Sequence, residues 1–538
     1  MRLRRLQVTR AATCGGLLDG ADIRLGRADT ETNNQLLEPL CLIGPNGSGK
    51  SQFLQLIAEI FQAAWHAHAP EEERDSANAD ATFELEYLIR PTTNDPYVLV
   101  KLSRAAKGKS AGPIELHVQK DGDWVSVKPG VPDFGRYLPS LIVGYTSGDN
   151  ETMSLPFMVS RAGYAKSVAT AALTKPAPAE PPPDNRALLI DYGTNLEVLF
   201  ANLTMASPAV RQEILQHARL EDLASCRCVV RLAHSAAPKA PASAKTLEGR
   251  KGIQLTDELE DILKKLKRSA TCWHLDEKTE SYTFDYFVDG ATRQALSHFF
   301  NSALDLYRSL HKFALLNDLV IPKPARERMR KAVRERRFAT RLPEPQQEDM
   351  VFAFEEVRFH PSSDNADRTP VDYVALSDGE HQQSLILGLF SMITAQNALF
   401  LLDEPESHFN PQWRVQFVKR LLNLHVERGE QEVLLTSHAP FVAADISREQ
   451  VLIFKRQGLT LEVSNPEIET FGANFDRILE HCFEIRPPLS QLARDEIERL
   501  LDSDDIEKLE AALPQLGTSV EKSFVADRLR QLKKGRAT

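Results

Sequence analysis

Apolar and polar positions alternate in two different rhythms along this 538-residue chain. Short strand-like runs come first, at Leu3–Val8, Leu40–Ile43, Ala81–Ile89, Tyr97–Leu102 and Ile114–Gln119. A further apolar run, Leu141–Tyr145, meets Ser147-Gly148-Asp149-Asn150. These predict a strand-rich first lobe. The middle of the chain changes period: Asn195–His217, Thr256–Leu266 and Arg293–Leu316 place apolar residues three and four apart, the spacing that gathers them on one helix face. From Val351–Phe359 the strand pattern returns. The apolar stretch Ser384–Leu402 then reads as a buried helix and a buried strand ending at Asp403, with further strands at Glu432–Thr436 and Gln450–Phe454, which is α/β alternation. The last seventy residues are charged and helical, with periodic leucines at Leu489, Leu492, Leu500 and Leu501.

Two stretches interrupt these patterns. Lys175–Pro183 is proline-rich and Ala236–Ala244 is rich in Ala, Pro and Ser, so both are expected as exposed linkers. The expected organisation is an N-terminal lobe over 1–165, a mostly helical insertion over 166–345, a C-terminal lobe over 346–465 and a helical extension over 466–538. There is no internal repeat and no sustained heptad run.

Composition changes this picture little. Hydrophobic residues at 42% and charged residues at 26% are ordinary globular values, and a net charge of −10 excludes a chain whose whole surface coats nucleic acid. Any nucleic-acid contact has to be regional. The six cysteines lack zinc-site spacing and are expected as reduced, buried thiols. Thr394, Gln396 and Asn397 break the most apolar stretch, so no membrane span is expected. No apolar segment follows the basic Met1–Arg5, so a secretory signal is not expected and a cytoplasmic location is.

The chemistry concentrates in four segments. Gly44-Pro45-Asn46-Gly47-Ser48-Gly49-Lys50-Ser51 follows an apolar strand and precedes an amphipathic segment, the setting a phosphate-binding loop requires. Its glycines let backbone N–H groups turn toward phosphate oxygens, the helix N-terminus adds its dipole, and Lys50 supplies a mobile charge. Ser51 is expected on Mg²⁺. Ala398–Asp403 is an apolar strand ending in carboxylates: Asp403 is expected to position Mg²⁺, while strand alternation turns Glu404 toward an attacking water as general base.

Leu376-Ser377-Asp378-Gly379-Glu380 lies 26 residues before Asp403 and opens the apolar helix. Ser377 and Glu380 make a capping box, and the same helix end suits a phosphate, so both readings stand together. The segment resembles the signature sequence of ABC-type ATPases, in the variant form found in SMC-like relatives. That resemblance implies that Ser377, Gly379 and Glu380 face ATP held by the P-loop of another copy, or of a homologous partner, in a head-to-tail pair. Val433–Pro440 then resembles the segment bearing the switch histidine of this class, which makes His438 the sensor of the γ-phosphate. The glutamine that usually touches Mg²⁺ has no counterpart in Tyr145–Asn150, where Asp149 or Asn150 is the substitute on offer.

The fold class expected is therefore α/β, a split ABC-type P-loop ATPase head with a helical insertion. Lys50 and Ser377 stand 327 positions apart, and an insertion of that length without heptads is unlike the long arms of SMC proteins. The lobes, with Glu404-Pro-Glu-Ser-His-Phe-Asn-Pro411 and Thr470-Phe-Gly-Ala-Asn474, resemble the AAA-labelled, ABC-like ATPases (OLD- and RecF-type) of bacterial restriction and anti-phage systems, including Septu-like ones. That resemblance implies a separately encoded nuclease partner. The 100 residues after His438 hold no convincing acidic triad for a nuclease of their own, and Asp502-Ser-Asp-Asp505 reads as a solvated helix cap. The basic run Lys323–Arg341 is the candidate DNA contact, against a solvated face or the dock of an acidic partner. The alternative function is a RecF- or SMC-like DNA-repair ATPase.

Overall fold

The computed structural model describes residues 1–25, 39–74, 80–108, 110–148, 151–174, 180–233, 252–322, 324–328, 331, 345–362, 369–425, 431–458 and 460–537. Asp149, Asn150, most of Lys323–Arg341 and the linker residues 175–179 and 236–244 lie outside these. Met1–Gly472 forms one compact unit and Ala473–Thr538 another.

The first unit is built on a seven-stranded sheet. From one edge its order is Ala187–Ile190, Leu141–Thr146, Ala398–Asp403, Glu432–Thr436, Leu40–Ile43, Val451–Gln457 and Thr460–Ser464. Every neighbouring pair is parallel except the last, an antiparallel hairpin. The four inner strands from Leu141–Thr146 to Leu40–Ile43 are buried at every position, which is why their sequences run apolar without alternation.

A second, antiparallel sheet of six strands runs Asp22–Arg24, Arg2–Arg10, Thr82–Ile89, Val98–Arg104, Glu115–Lys120, Asp123–Val127. Its strands do alternate, as one buried face demands; in Thr82–Ile89 the residues Phe83, Leu85, Tyr87 and Ile89 are buried. The helix Lys50–His68 joins the two sheets in one core, through Phe53, Leu54, Ile57 and Phe61 beside Leu85, Leu102, Leu401, Leu434 and Phe454.

The span expected as mostly helical also carries a sheet. Cys272–Asp276, Ser281–Phe287, Leu220–Arg231, Phe352–Pro361 and Val371–Asp372 pair antiparallel in that order. Tyr282, Phe284 and Tyr286 face inward at period two, as do Cys226, Cys228 and Val230. The helical spans are shorter than the apolar spacing suggests. Asn195–His217 divides into Asn195–Met205 and Pro208–Leu215, because Ser207 caps a new helix with Pro208 at its first position. Arg293–Leu316 divides in the same way, with Ser302 capping Ala303–Leu315.

All six cysteines are free, and five are buried; Cys272 is exposed. No helix among the described residues is long and apolar enough to cross a membrane. The second unit packs its helices around Ile497, Leu500, Leu509, Val525 and Leu529, with Leu489 and Leu501 against them, whereas Leu492 is exposed.

Candidate nucleotide site

The loop Gly44–Gly49 leaves the inner strand Leu40–Ile43 and enters the helix at Lys50. Two of its glycines are dictated by backbone. Gly44 has φ 144°, and a Cβ there would stand 2.3 Å from the Phe454 carbonyl oxygen; Gly49 has φ 107° at the helix N-cap. Pro45, Asn46 and Gly47 are exposed, while Ser48, Gly49 and Lys50 turn inward. The Ser48 hydroxyl is buried without a hydrogen-bond partner. Lys50 Nζ donates to the carbonyls of Gly44 (2.9 Å) and Pro45 (3.1 Å), and burial holds its pKa below the usual lysine value.

Asp403 reaches this loop from two strands away. The strand Glu432–Thr436 lies between, its register setting Leu402 beside Leu435 and Thr436 beside Leu42. Thr436 Oγ1 donates to Asp403 Oδ1 at 2.7 Å, and Ser51 Oγ donates to the same oxygen at 3.0 Å. Burial raises the Asp403 pKa against these two bonds, which lower it.

Strand alternation does not place Glu404. The strand ends at Asp403, and Glu404 has a left-handed φ of 48°, an uncommon conformation for a residue other than glycine. Its N–H is held by Thr436 Oγ1 at 2.9 Å. The carboxylate meets His438 Nε2 at 3.1 Å, and this bond keeps the Glu404 pKa below the ordinary value. Backbone strain held in place by a side-chain bond is a feature that clusters at working sites.

The segment around Ser377 has a different character. Ser377 caps the helix Asp378–Met392 with Glu380 in a reciprocal capping box: Ser377 N and Oγ each donate to Glu380 Oε2 at 2.8 Å. Ser377 and Asp378 are exposed. Gly379 is buried, and a Cβ there would come 2.7 Å from the His408 carbonyl oxygen, so this glycine serves close packing against the turn after Glu404. Among the described hydrogen bonds none links Ser377 or Glu380 to residues 44–51. The structure thus brings Lys50, Ser51, Asp403, Glu404 and His438 to one end of the sheet and leaves the Ser377 end turned outward.

Four further residues belong to this neighbourhood and had no signal of their own in the sequence. Thr436 bridges Asp403 and Glu404 as above. Gln382 Nε2 donates to the Ser147 carbonyl at 3.1 Å, near the segment where a glutamine was sought. Ser437 Oγ donates to the buried Glu406 carboxyl, whose pKa burial pushes up to about 7. Thr436 and Ser437 immediately precede His438 in a strand-ending segment, which is the one clue the sequence offered.

These groups suit a nucleotide with Mg²⁺. The unpartnered Ser48 hydroxyl and the exposed loop backbone offer donors to phosphate, and Ser51 with Asp403 makes the hydroxyl-plus-carboxylate pair on which a magnesium ion shared with phosphates rests. No group of three or more His, Cys, Asp or Glu that could hold a metal by themselves occurs among the described residues.

Three likenesses to known proteins are found. A protein of Escherichia phage lambda, "Protein ea59", is 28% identical over 91 residues, which is 17% of this chain and 17% of that protein. A solved structure of an SMC head bound to the C-terminal winged-helix domain of ScpA aligns over 86% of this chain and 97% of its own, at 10% identity and a TM-score of 0.33. Residues 292–445 match the family model described as "AAA domain, putative AbiEii toxin, Type IV TA system". The matched span takes in Ser377, Asp403, Glu404 and His438 and ends well away from the loop at Gly44–Ser51. In that span the chain is similar to an AAA-type ATPase domain.

Proposed function

We propose that the protein binds ATP with Mg²⁺ between Gly44–Ser51 and Asp403 and hydrolyses it. The observation that carries this reading is the meeting of two pairs at one sheet end: Ser51 with Asp403 at 3.0 Å, and Glu404 with His438 at 3.1 Å. Each residue has a role its surroundings support. Gly47 and Gly49 present backbone N–H groups to phosphate, Ser48 adds its buried hydroxyl, and Lys50 exchanges two loop carbonyls for phosphate oxygens. Ser51 and Asp403 hold the metal, which when bound neutralises charge developing on the transferred phosphate. Glu404, a carboxylate bonded to His438, takes a proton from the attacking water. His438 orients Glu404 and contacts the terminal phosphate.

The exposed Ser377 end completes the site of a second copy, with Gly379 and Glu380 shaping it. In this reading ATP closes the pair and hydrolysis reopens it. The description of the matching family as a toxin of a type IV system supports a setting in bacterial anti-phage or restriction defence, where the chain gates a separately encoded nuclease. A DNA contact through Lys323–Arg341 belongs to the same reading.

Turnover of ATP by wild type and Glu404→Gln tests the core of the proposal. The variant should lose on the order of 10²–10³ in kcat, the usual worth of a positioned general base, while still binding ATP and accumulating as a closed dimer by light scattering. Equal turnover in the two proteins overturns it. Co-purification of the neighbouring gene products tests the nuclease partner.

A further inference from the structure

Two buried polar groups beside the site have no part in that scheme. Ser437 is fully buried and Glu406 is 3% exposed. The Ser437 hydroxyl accepts the Ala439 N–H at 3.0 Å and donates to Glu406 Oε1, the Ala439 carbonyl being a longer alternative acceptor at 3.5 Å. The backbone N–H of Ser437 is bonded to the Leu42 carbonyl at 3.0 Å. Glu406 Oε2 is buried with no hydrogen-bond partner. A buried polar atom left unpaired costs about 1–3 kcal/mol, a cost that an apolar residue of similar size would avoid.

We propose that Glu406 is a positioning residue: through Ser437 Oγ it pins the segment Ser437–Ala439 and so holds the His438 ring on Glu404. This rests on the reading of Glu404 and His438 as the hydrolytic pair. The geometry is a clamp. Thr436, the last residue of the strand, bonds Asp403, and Ser437 just beyond it bonds Glu406, so two carboxyl groups hold the chain immediately before His438.

The turn that carries Glu406 is itself fixed. Ser407 N–H bonds the Glu404 carbonyl at 3.1 Å, Phe409 N–H bonds the Glu406 carbonyl at 3.0 Å, and the His408 carbonyl abuts Gly379. Glu406 therefore links the turn beneath the Ser377 helix end to the histidine. A shift of that helix end on contact with a second copy has a short route to His438.

Steady-state ATP hydrolysis by Ser437→Ala, Glu406→Ala and Glu406→Gln tests the assignment. Both alanine variants should lower kcat by about tenfold or more with KM for ATP changed by less than about twofold. Glu406→Gln, which keeps an acceptor for Ser437, should restore most of the rate. The double alanine variant should be no slower than the slower single, and Ser437→Ala should cost nothing further in a His438→Ala background. Losses that multiply in the double variant, that persist undiminished without His438, or that fall on KM alone overturn the clamp. A Glu404→Gln protein as fast as wild type overturns the hydrolytic reading itself, whereas an inactive Glu404→Gln beside a full-rate Ser437→Ala overturns the clamp alone.

Discussion

Two helix N-termini at this end of the fold are made in opposite ways. At Lys50 the helix emerges from a loop whose glycines carry φ values of 144°, 75° and 107°, with no side-chain cap and with a buried hydroxyl left unpartnered. At Asp378 the helix begins in a capping box satisfied by its own residues, with Ser377 and Asp378 exposed. The first end has no side-chain cap and depends on glycines in conformations that other residues rarely adopt. The second is complete by itself, and what it offers beyond its own chain is a surface. The contrast fits a site whose phosphate cradle and hydrolytic pair lie within one chain and whose remaining wall is supplied by another.

That contrast can be broken most sharply by mixing. Lys50→Ala disables the first end and Ser377→Arg the second, and each protein alone should be inactive. Refolded or co-expressed together, they should recover roughly a quarter of the wild-type rate, because half the pairs are mixed and each mixed pair has one intact site. No recovery means that the Ser377 end acts within its own chain or not at all.

A smaller effect concerns the neighbouring carboxyl. Glu406 keeps its proton in the folded chain up to pH of about 7, against 4.5 for the ordinary group. Between these values the folded state binds the extra proton, so stability falls as pH rises through this window and levels off above it. Glu406→Gln should therefore shrink the stability difference between pH 5 and pH 8 by on the order of 3 kcal/mol, as read from chemical denaturation. An unaltered difference places the carboxyl in a wetter setting than the fold indicates.

Neighbouring positions at the second helix end also predict different costs for small changes. Gly379→Ala drives a methyl toward the His408 carbonyl and should destabilise by about 1–3 kcal/mol, seen as a lower midpoint without denaturant-slope change. Ser377→Ala removes the cap and should cost only about 1 kcal/mol. If Gly379→Ala instead leaves stability intact and weakens ATP-dependent pairing, that glycine faces the partner rather than the turn.

The match between residues and site differs between its two halves for a physical reason. The Gly44–Ser51 loop and the carboxylates Asp403 and Glu404 were legible as candidates because each is a local pattern: glycines whose φ values are positive, a lysine at a helix start, an apolar strand running into carboxylates. Glu404 was legible as a candidate but for a reason the structure replaces, since a left-handed turn rather than a continuing strand aims it. The sheet through Leu220–Arg231 and Ser281–Phe287 had a period-two signal in Tyr282, Phe284 and Tyr286 that adjoining helical spacing obscured.

What the sequence determined by itself was the set of chemical groups and the local backbone each requires, because loop strain, caps and apolar periodicity are settled within about ten residues of chain. Which groups meet was decided only by tertiary structure. Ser51 reaches Asp403 across 352 positions, and Thr436 reaches it across 33, because parallel strands far apart in sequence are set side by side with their ends in register. The same register gives Glu406 its serine and His438 its glutamate. No local pattern encodes it, since register is fixed by the burial of whole strands against one another.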